Sequence, residues 1–272
     1  MKGLLPLFLG IFGTFAFSWV GLTLVPNLQI GHLDPQMDED GTDVYPAPRS
    51  GMAERGRKVY VENGCFYCHS QQVRADYASS DIERKWGERR SAPRDYIFDR
   101  PTLLGKERLG PDLSNIGKRA PAEDENAAAA SPAASPATAA SPATAAASPP
   151  AANANPVNAA TSADSAPKTG VPPLYSAAWH HRHLYSPRSL NLDSNMPAYR
   201  FLYEQRRISG EPSADALKLN RREAPPEGWE IVPSYDAQCL VAYLMSLDQS
   251  HPLREVKSSA PSASPAPAKP AK

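Results

Sequence analysis

Apolar residues are spread unevenly along the chain. From Gly3 to Val25 no residue is charged, and LLPLFLGIFGTFAFSWVGLTLV has no polar face. At ~1.5 Å rise per residue this run crosses a ~30 Å hydrocarbon core, whereas a core helix of a soluble protein would show a polar side. A secretory signal would be shorter and end in an Ala-x-Ala-like site; here Pro26, Asn27, Leu28, Gln29 and Ile30 follow. The pattern predicts an uncleaved transmembrane helix over residues 1–25 and a linker over 26–49. Helical periodicity returns in Ser50 to Asn63, with Met52, Val59 and Tyr60 as apolar positions and Gly56 small enough for close approach by a second helix. It appears again from Asp236 to Leu247, where Leu240, Tyr243, Leu244 and Leu247 fall at i, i+3, i+4 and i+7.

Between these helices, residues 120–170 are dominated by Ala, Ser, Pro and Thr, and residues 251–272 have a similar composition. Such stretches cannot bury enough apolar surface to offset ordering entropy, so they read as a disordered insertion and a disordered tail. An insertion of that length costs a fold little, because closure entropy grows only logarithmically. One mainly α domain remains, split between residues 50–119 and 171–250. The 29 basic and 29 acidic side chains cancel, which removes the basic surplus that a nucleic-acid partner would require.

Three cysteines cannot form a disulfide framework, and the odd count points to a site. Cys65-Phe66-Tyr67-Cys68-His69 has the spacing of covalent c-type haem attachment: two thiols add to the haem vinyl groups and the adjacent imidazole becomes an iron ligand. A redox Cys-x-x-Cys pair would sit on a βαβ pattern, and a zinc site would want a second ligand pair. Cys239 is single and distant, and reads as a small buried hydrophobe. Lys2 before the span and Asp34, Asp38, Glu39, Asp40 and Asp43 after it put the N-terminus inside and the rest outside. Haem attachment on the exported side of a bacterial membrane agrees with that orientation.

A six-coordinate haem needs a second axial donor. Met1, Met37, Met52 and Met245 fall in the anchor, the acidic linker and the two helices, leaving Met196 in the loop SNMPAY. The rival donors are His180, His181 and His183 in AAWHHRHLYSPR, which otherwise read as a polar surface beside Arg182. His32 and His251 are given no role. Leu109-Gly110-Pro111-Asp112-Leu113 resembles the haem-edge turn of cytochromes c, in which the proline carbonyl accepts a hydrogen bond from the proximal histidine.

The motif order, from the anchor through GCFYCHSQQVR, WGERRSAPRDYIFDRPTLLGKERLGPDL and YSAAWHHRHLYSPRSLNLDSNMPAYRFL to a C-terminal helix, resembles subunit II of the cbb-type cytochrome c oxidases. This is their mono-haem, membrane-anchored cytochrome c. The resemblance implies one covalent c haem held by Cys65 and Cys68, ligated by His69 and Met196 and buttressed by Pro111. It implies no catalysis by this chain alone, but electron relay from a multi-haem cytochrome c subunit or a soluble cytochrome c to the b haem of a catalytic haem-copper subunit, in a bacterial inner membrane with the haem domain periplasmic. Ser91, Tyr96 and Asp99 match the stretch that lies over the catalytic subunit, with Ser91 at the position of an interfacial calcium. The insertion and the extended tail depart from the family pattern. The alternatives are the anchored cytochrome c of a nitric oxide reductase, a haem peroxidase with an open iron site, and a zinc-binding module.

Overall fold

The computed structural model describes residues 3–37, 41–119 and 175–256; the expected insertion lies outside them, and so does the tail beyond Val256. Helix α1 (Leu4–Ile30) is apolar along its length, and none of it is buried against the rest of the chain. It therefore behaves as a single-pass anchor would, not as a core helix, and it runs five residues past the expected end at Val25. Its turn at Val20–Leu24 is π-helical. Pro26 accounts for the widening, since a proline ring meets the carbonyl four residues back and cannot donate to it. Thr14 Oγ1 donates to the Gly10 and Ile11 carbonyls at 3.1 and 2.8 Å, so the hydroxyl enters the apolar phase already bonded.

Beyond the span, β1 (Gln36–Met37) pairs antiparallel with β2 (Val44–Tyr45), and this neck is clasped to the C-terminal segment. Tyr45 stacks on His251 at 4.2 Å, His251 Nε2 lies 3.0 Å from Asp43 Oδ2, and the Arg254 N–H donates to Gln36 Oε1 at 3.2 Å. Arg94 joins both parts, bonding the Asp34 carbonyl and pairing with Glu255 at 2.7 Å. Leu253 and Val256 are buried and pack with Ala92. Residues 251–256, expected to begin a disordered tail, are therefore folded. An apolar pair next to Pro/Ser-rich sequence found a groove that composition alone does not reveal.

The core is the crossing of α2 (Gly51–Glu62) with α4 (Tyr235–Met245). Gly56 makes the crossing close: a β-carbon there would lie 1.8 Å from the Cys239 carbonyl oxygen. Tyr60, Leu240, Tyr243 and Cys239 are almost fully buried around it, and the Tyr243 hydroxyl donates to Gln71 Oε1 at 3.0 Å. Cys239 is thus the small buried residue its sequence context implied. A short helix α3 (Ala177–Tyr185) begins at Ser176, whose hydroxyl accepts the Trp179 N–H.

A hairpin of β3 (Tyr203–Arg207) and β4 (Trp229–Pro233), paired from Tyr203↔Pro233 to Arg207↔Trp229, was not foreshadowed by periodicity. Strand β4 delivers the chain straight into α4, where Ser234 Oγ accepts the Ala237 N–H. The connecting loop is tied down by Glu230, which accepts from the Ser213 N–H and hydroxyl at 2.7 Å each and from Arg206 Nε at 2.8 Å.

Gly56→Ala is expected to destabilise the head by about 3 kcal/mol, the upper range for overpacking against fixed backbone, read as a lower denaturation midpoint of the full chain in detergent. The hydrogen bonds from Ser213 and Arg206 hold the Glu230 carboxyl down at about 2, against 4.5 for a free one. Because the folded state lowers this pKa, the stabilisation is present above a pH of about 4.5 and is lost as pH falls toward about 2. The stability difference between the native protein and Glu230→Gln should be largest near neutrality and close across that interval.

Candidate functional site

Helix α2 ends where Asn63 Nδ2 bonds the Val59 carbonyl at 2.8 Å and Gly64 adopts φ +69°, a left-handed conformation that glycine takes without strain. The chain then winds through a 3-10 turn at Cys65–Tyr67, closed by Cys68 and His69 N–H groups on the Cys65 carbonyl at 3.2 and 3.0 Å. That turn brings Cys65, Cys68 and His69 to one cavity of about 530 Å³, within the size range of cofactor sites. The cysteines are free thiols, and burial pushes Cys65 up to about 11. It is a neutral thiol at physiological pH, not the activated thiolate of a redox pair. Among the described residues no three His, Cys, Asp or Glu side chains converge as a metal cluster, so the zinc-module alternative gains no support.

Residues 104–113 are laced along the attachment segment: the Gly110 N–H bonds the Cys68 carbonyl at 3.0 Å and the Leu113 N–H the Ser70 carbonyl at 2.8 Å. The Asp112 carboxylate, fully buried, accepts the Ser70 hydroxyl at 2.6 Å, the Gln72 N–H at 2.7 Å and the Ser114 N–H at 2.8 Å. This clamp fixes Pro111, whose carbonyl lies 2.8 Å from His69 Nδ1. A carbonyl only accepts, so Nδ1 carries the proton and Nε2 keeps its lone pair for a metal. Burial lowers the His69 pKa, which favours the neutral imidazole that coordination needs. Gly110 is part of the cradle: a β-carbon there would lie 2.2 Å from His69 Cε1.

Met196 lines the same cavity, alone among the described methionines. Its loop is held by the Tyr199 N–H on the Leu184 carbonyl at 2.8 Å and by Ser194, whose hydroxyl accepts the Met196 N–H at 3.3 Å. Met52 and Met37 are exposed, and Met245 packs on the core without reaching the cavity. The five residues singled out from the sequence, Cys65, Cys68, His69, Pro111 and Met196, thus line one cavity.

The histidines of α3 are not the polar surface their sequence suggested. His180 is 3% exposed, and it and His183 line the cavity, while the His181 ring lies 3.2 Å from the Tyr203 hydroxyl. Burial pushes all three down, His180 to about 3 and His181 and His183 to about 4, so they are neutral at physiological pH. Spacing alone does not show which face of a nine-residue helix is covered, which is why the residues were misread.

Ser91, Tyr96 and Asp99 lie away from this cavity and bond within the chain. Ser91 Oγ accepts the Val73 N–H and donates to Gln249, Tyr96 donates to the Gln71 carbonyl at 2.7 Å, and Asp99 pairs with Arg49 and Arg57.

A family model described as cytochrome c oxidase, mono-heme subunit/FixO matches residues 6–172. No curated protein matches the chain. The matched stretch takes in nearly all of α1, all of α2, the attachment pentapeptide and Pro111, while α3, Met196 and α4 lie beyond it.

Gly110→Ala is expected to drive the His69 ring off the Pro111 carbonyl at a cost of about 1–3 kcal/mol. Both thiols would remain in place. The optical spectrum of the purified protein would register the displaced imidazole, and an unchanged spectrum would mean that the cradle yields.

Proposed function

The chain belongs to the cytochrome c oxidase mono-heme subunit/FixO family, and from that premise we propose that it is the electron-relay subunit of a cbb-type haem-copper oxidase. The family implies a haem and a catalytic oxidase partner, and the residues present fit the group. Two neighbouring thiols, a histidine fixed in the metal-binding tautomer and a thioether line one largely apolar cavity. Cys65 and Cys68 would attach the haem covalently, and His69 and Met196 would ligate its iron. When bound, the haem supplies a one-electron carrier whose potential a thioether raises relative to a second imidazole.

The protein's own contribution is to hold and shield that carrier. Pro111 orients His69 and strengthens its donation, Asp112 keeps Pro111 in place, and the crossing helices α2 and α4 line the cavity with Tyr60, Leu240 and Leu244. With His69 and Met196 both available to the iron, a haem held here would keep no open position for a substrate, which separates this reading from a peroxidase. The chain alone therefore carries out no catalysis. It receives electrons from a multi-haem cytochrome c subunit or a soluble cytochrome c and passes them to the b haem of the catalytic subunit, where oxygen is reduced to water. The charge asymmetry around α1 supports a bacterial inner-membrane anchor with the haem domain in the periplasm.

An interfacial calcium at Ser91 rests on the resemblance alone. Ser91 Oγ already bonds Val73 and Gln249, so a cation there would draw its further oxygens from the partner subunit.

The observation that carries the proposal is the His69 Nδ1 to Pro111 contact at 2.8 Å beside two thiols. The test is purification from membranes in mild detergent, with haem staining and reduced spectra of whatever co-purifies. One covalent c haem accompanied by b haems and copper supports the oxidase relay. A c haem with a copper-free partner would transfer the reading to a nitric oxide reductase, and the absence of covalent haem would end both. Met196→Ala should keep the haem attached, lower its potential and open the iron to carbon monoxide; unchanged spectra would assign the ligand elsewhere.

A further inference from the structure

Resting on the reading that the cavity holds a haem, we infer that His180, His183 and Arg119 form the seat for its two carboxylates. A haem is an apolar disc with two acidic side chains on one edge, and each must meet a donor or water when the disc is buried. The cavity wall is mostly apolar, formed by side chains such as Leu113, Ile116, Leu184, Leu240 and Leu244. Arg119, His180 and His183 stand out against it as basic side chains that also line the cavity.

Two of them have polar atoms with nothing to bond. His180 Nε2 and His183 Nδ1 are buried and unpartnered, and an unsatisfied buried polar group costs about 1–3 kcal/mol. Both atoms belong to side chains that line the cavity, and an anionic acceptor there would give each a partner. Their i, i+3 spacing puts them on one face of the helix, and aromatic contacts set their rings. Trp179 stacks on His183 at 4.7 Å and meets His180 edge-on at 5.2 Å, and Tyr175 packs on Trp179 at 4.2 Å.

Arg119 reaches the same place from the first half of the domain. The Tyr175 N–H bonds the Arg119 carbonyl at 3.3 Å, and the Arg119 guanidinium lies 5.4 Å from the Tyr175 ring centroid. The two ends of the 120–174 stretch therefore meet beside the cavity, the cation arriving from one end and the two imidazoles following from the other.

The competing role for either histidine is iron ligation in place of Met196, and the two roles have different signatures. The experiment uses the full chain, haem-loaded in detergent, in four forms: native, His180→Leu, His180→Gln and Arg119→Gln. Optical spectra report ligation, resonance Raman propionate-bending bands report the carboxylates, and redox titration reports the potential. A low-spin spectrum unchanged in all four forms is expected, with the propionate bands displaced in His180→Leu and substantially restored in His180→Gln, which keeps a donor. Arg119 Nη1 also donates to the Asp112 carbonyl at 2.7 Å, so the unchanged low-spin spectrum is the control that His69 stays in place; Arg119→Gln should displace the same bands and lower the potential by removing a positive charge. A high-spin spectrum in His180→Leu would make His180 an iron ligand and overturn the inference. Propionate bands and potential unmoved in Arg119→Gln and His180→Leu would overturn it equally. Native protein without covalent haem would instead remove the reading beneath it, a result that haem staining distinguishes from the others.

Discussion

The contact between His69 Nδ1 and the Pro111 carbonyl is the one on which the site depends. It selects the imidazole tautomer, fixes the ring plane, and is held by Asp112 with its three donors and by Gly110, which has no side chain to obstruct the ring. The clamp is short-range, and its centre, the Asp112 carboxylate with the Ser70 hydroxyl, is buried. Everything that must be placed relative to His69, including the thiols one turn before it and the thioether far along the chain, is placed relative to that clamp.

The larger frame brings these parts together through one close helix crossing. Gly56 lets α2 approach the Cys239 carbonyl directly, and α2 then runs without slack into the attachment turn. On the other side, β4 leads into α4 through a single capping serine, so the hairpin sets where α4 starts. The haem cavity is the space left between α2, α4, α3 and the Met196 loop.

Chemistry borne by local spacing was legible in the sequence: the pentapeptide, the turn at Pro111, the apolar span and the two main helices. Met196 could be reached by elimination because the other methionines sit in segments with evident roles. What could not be read depends on neighbours supplied from elsewhere. The side of α3 that is buried follows from where the Met196 loop and Tyr175 lie, and no periodicity in AAWHHRHLY encodes that. Strand β3, with its charged run Glu204 to Arg207, lacks the alternation that marks a half-buried strand, and it pairs because β4 offers an edge. Leu253 and Val256 look like part of a Pro/Ser-rich tail until the groove beside Ala92 is known.

The clasp between the neck and the C-terminal segment has a mechanical consequence. Since Asp34 is already bonded to Arg94, the only links between the end of α1 at Ile30 and the folded head are Gly31, His32 and Leu33. Three extended residues span ~10 Å at most. The head is thus carried on a short stalk and not on a long leash, and its reach from the end of the span is set by those few residues.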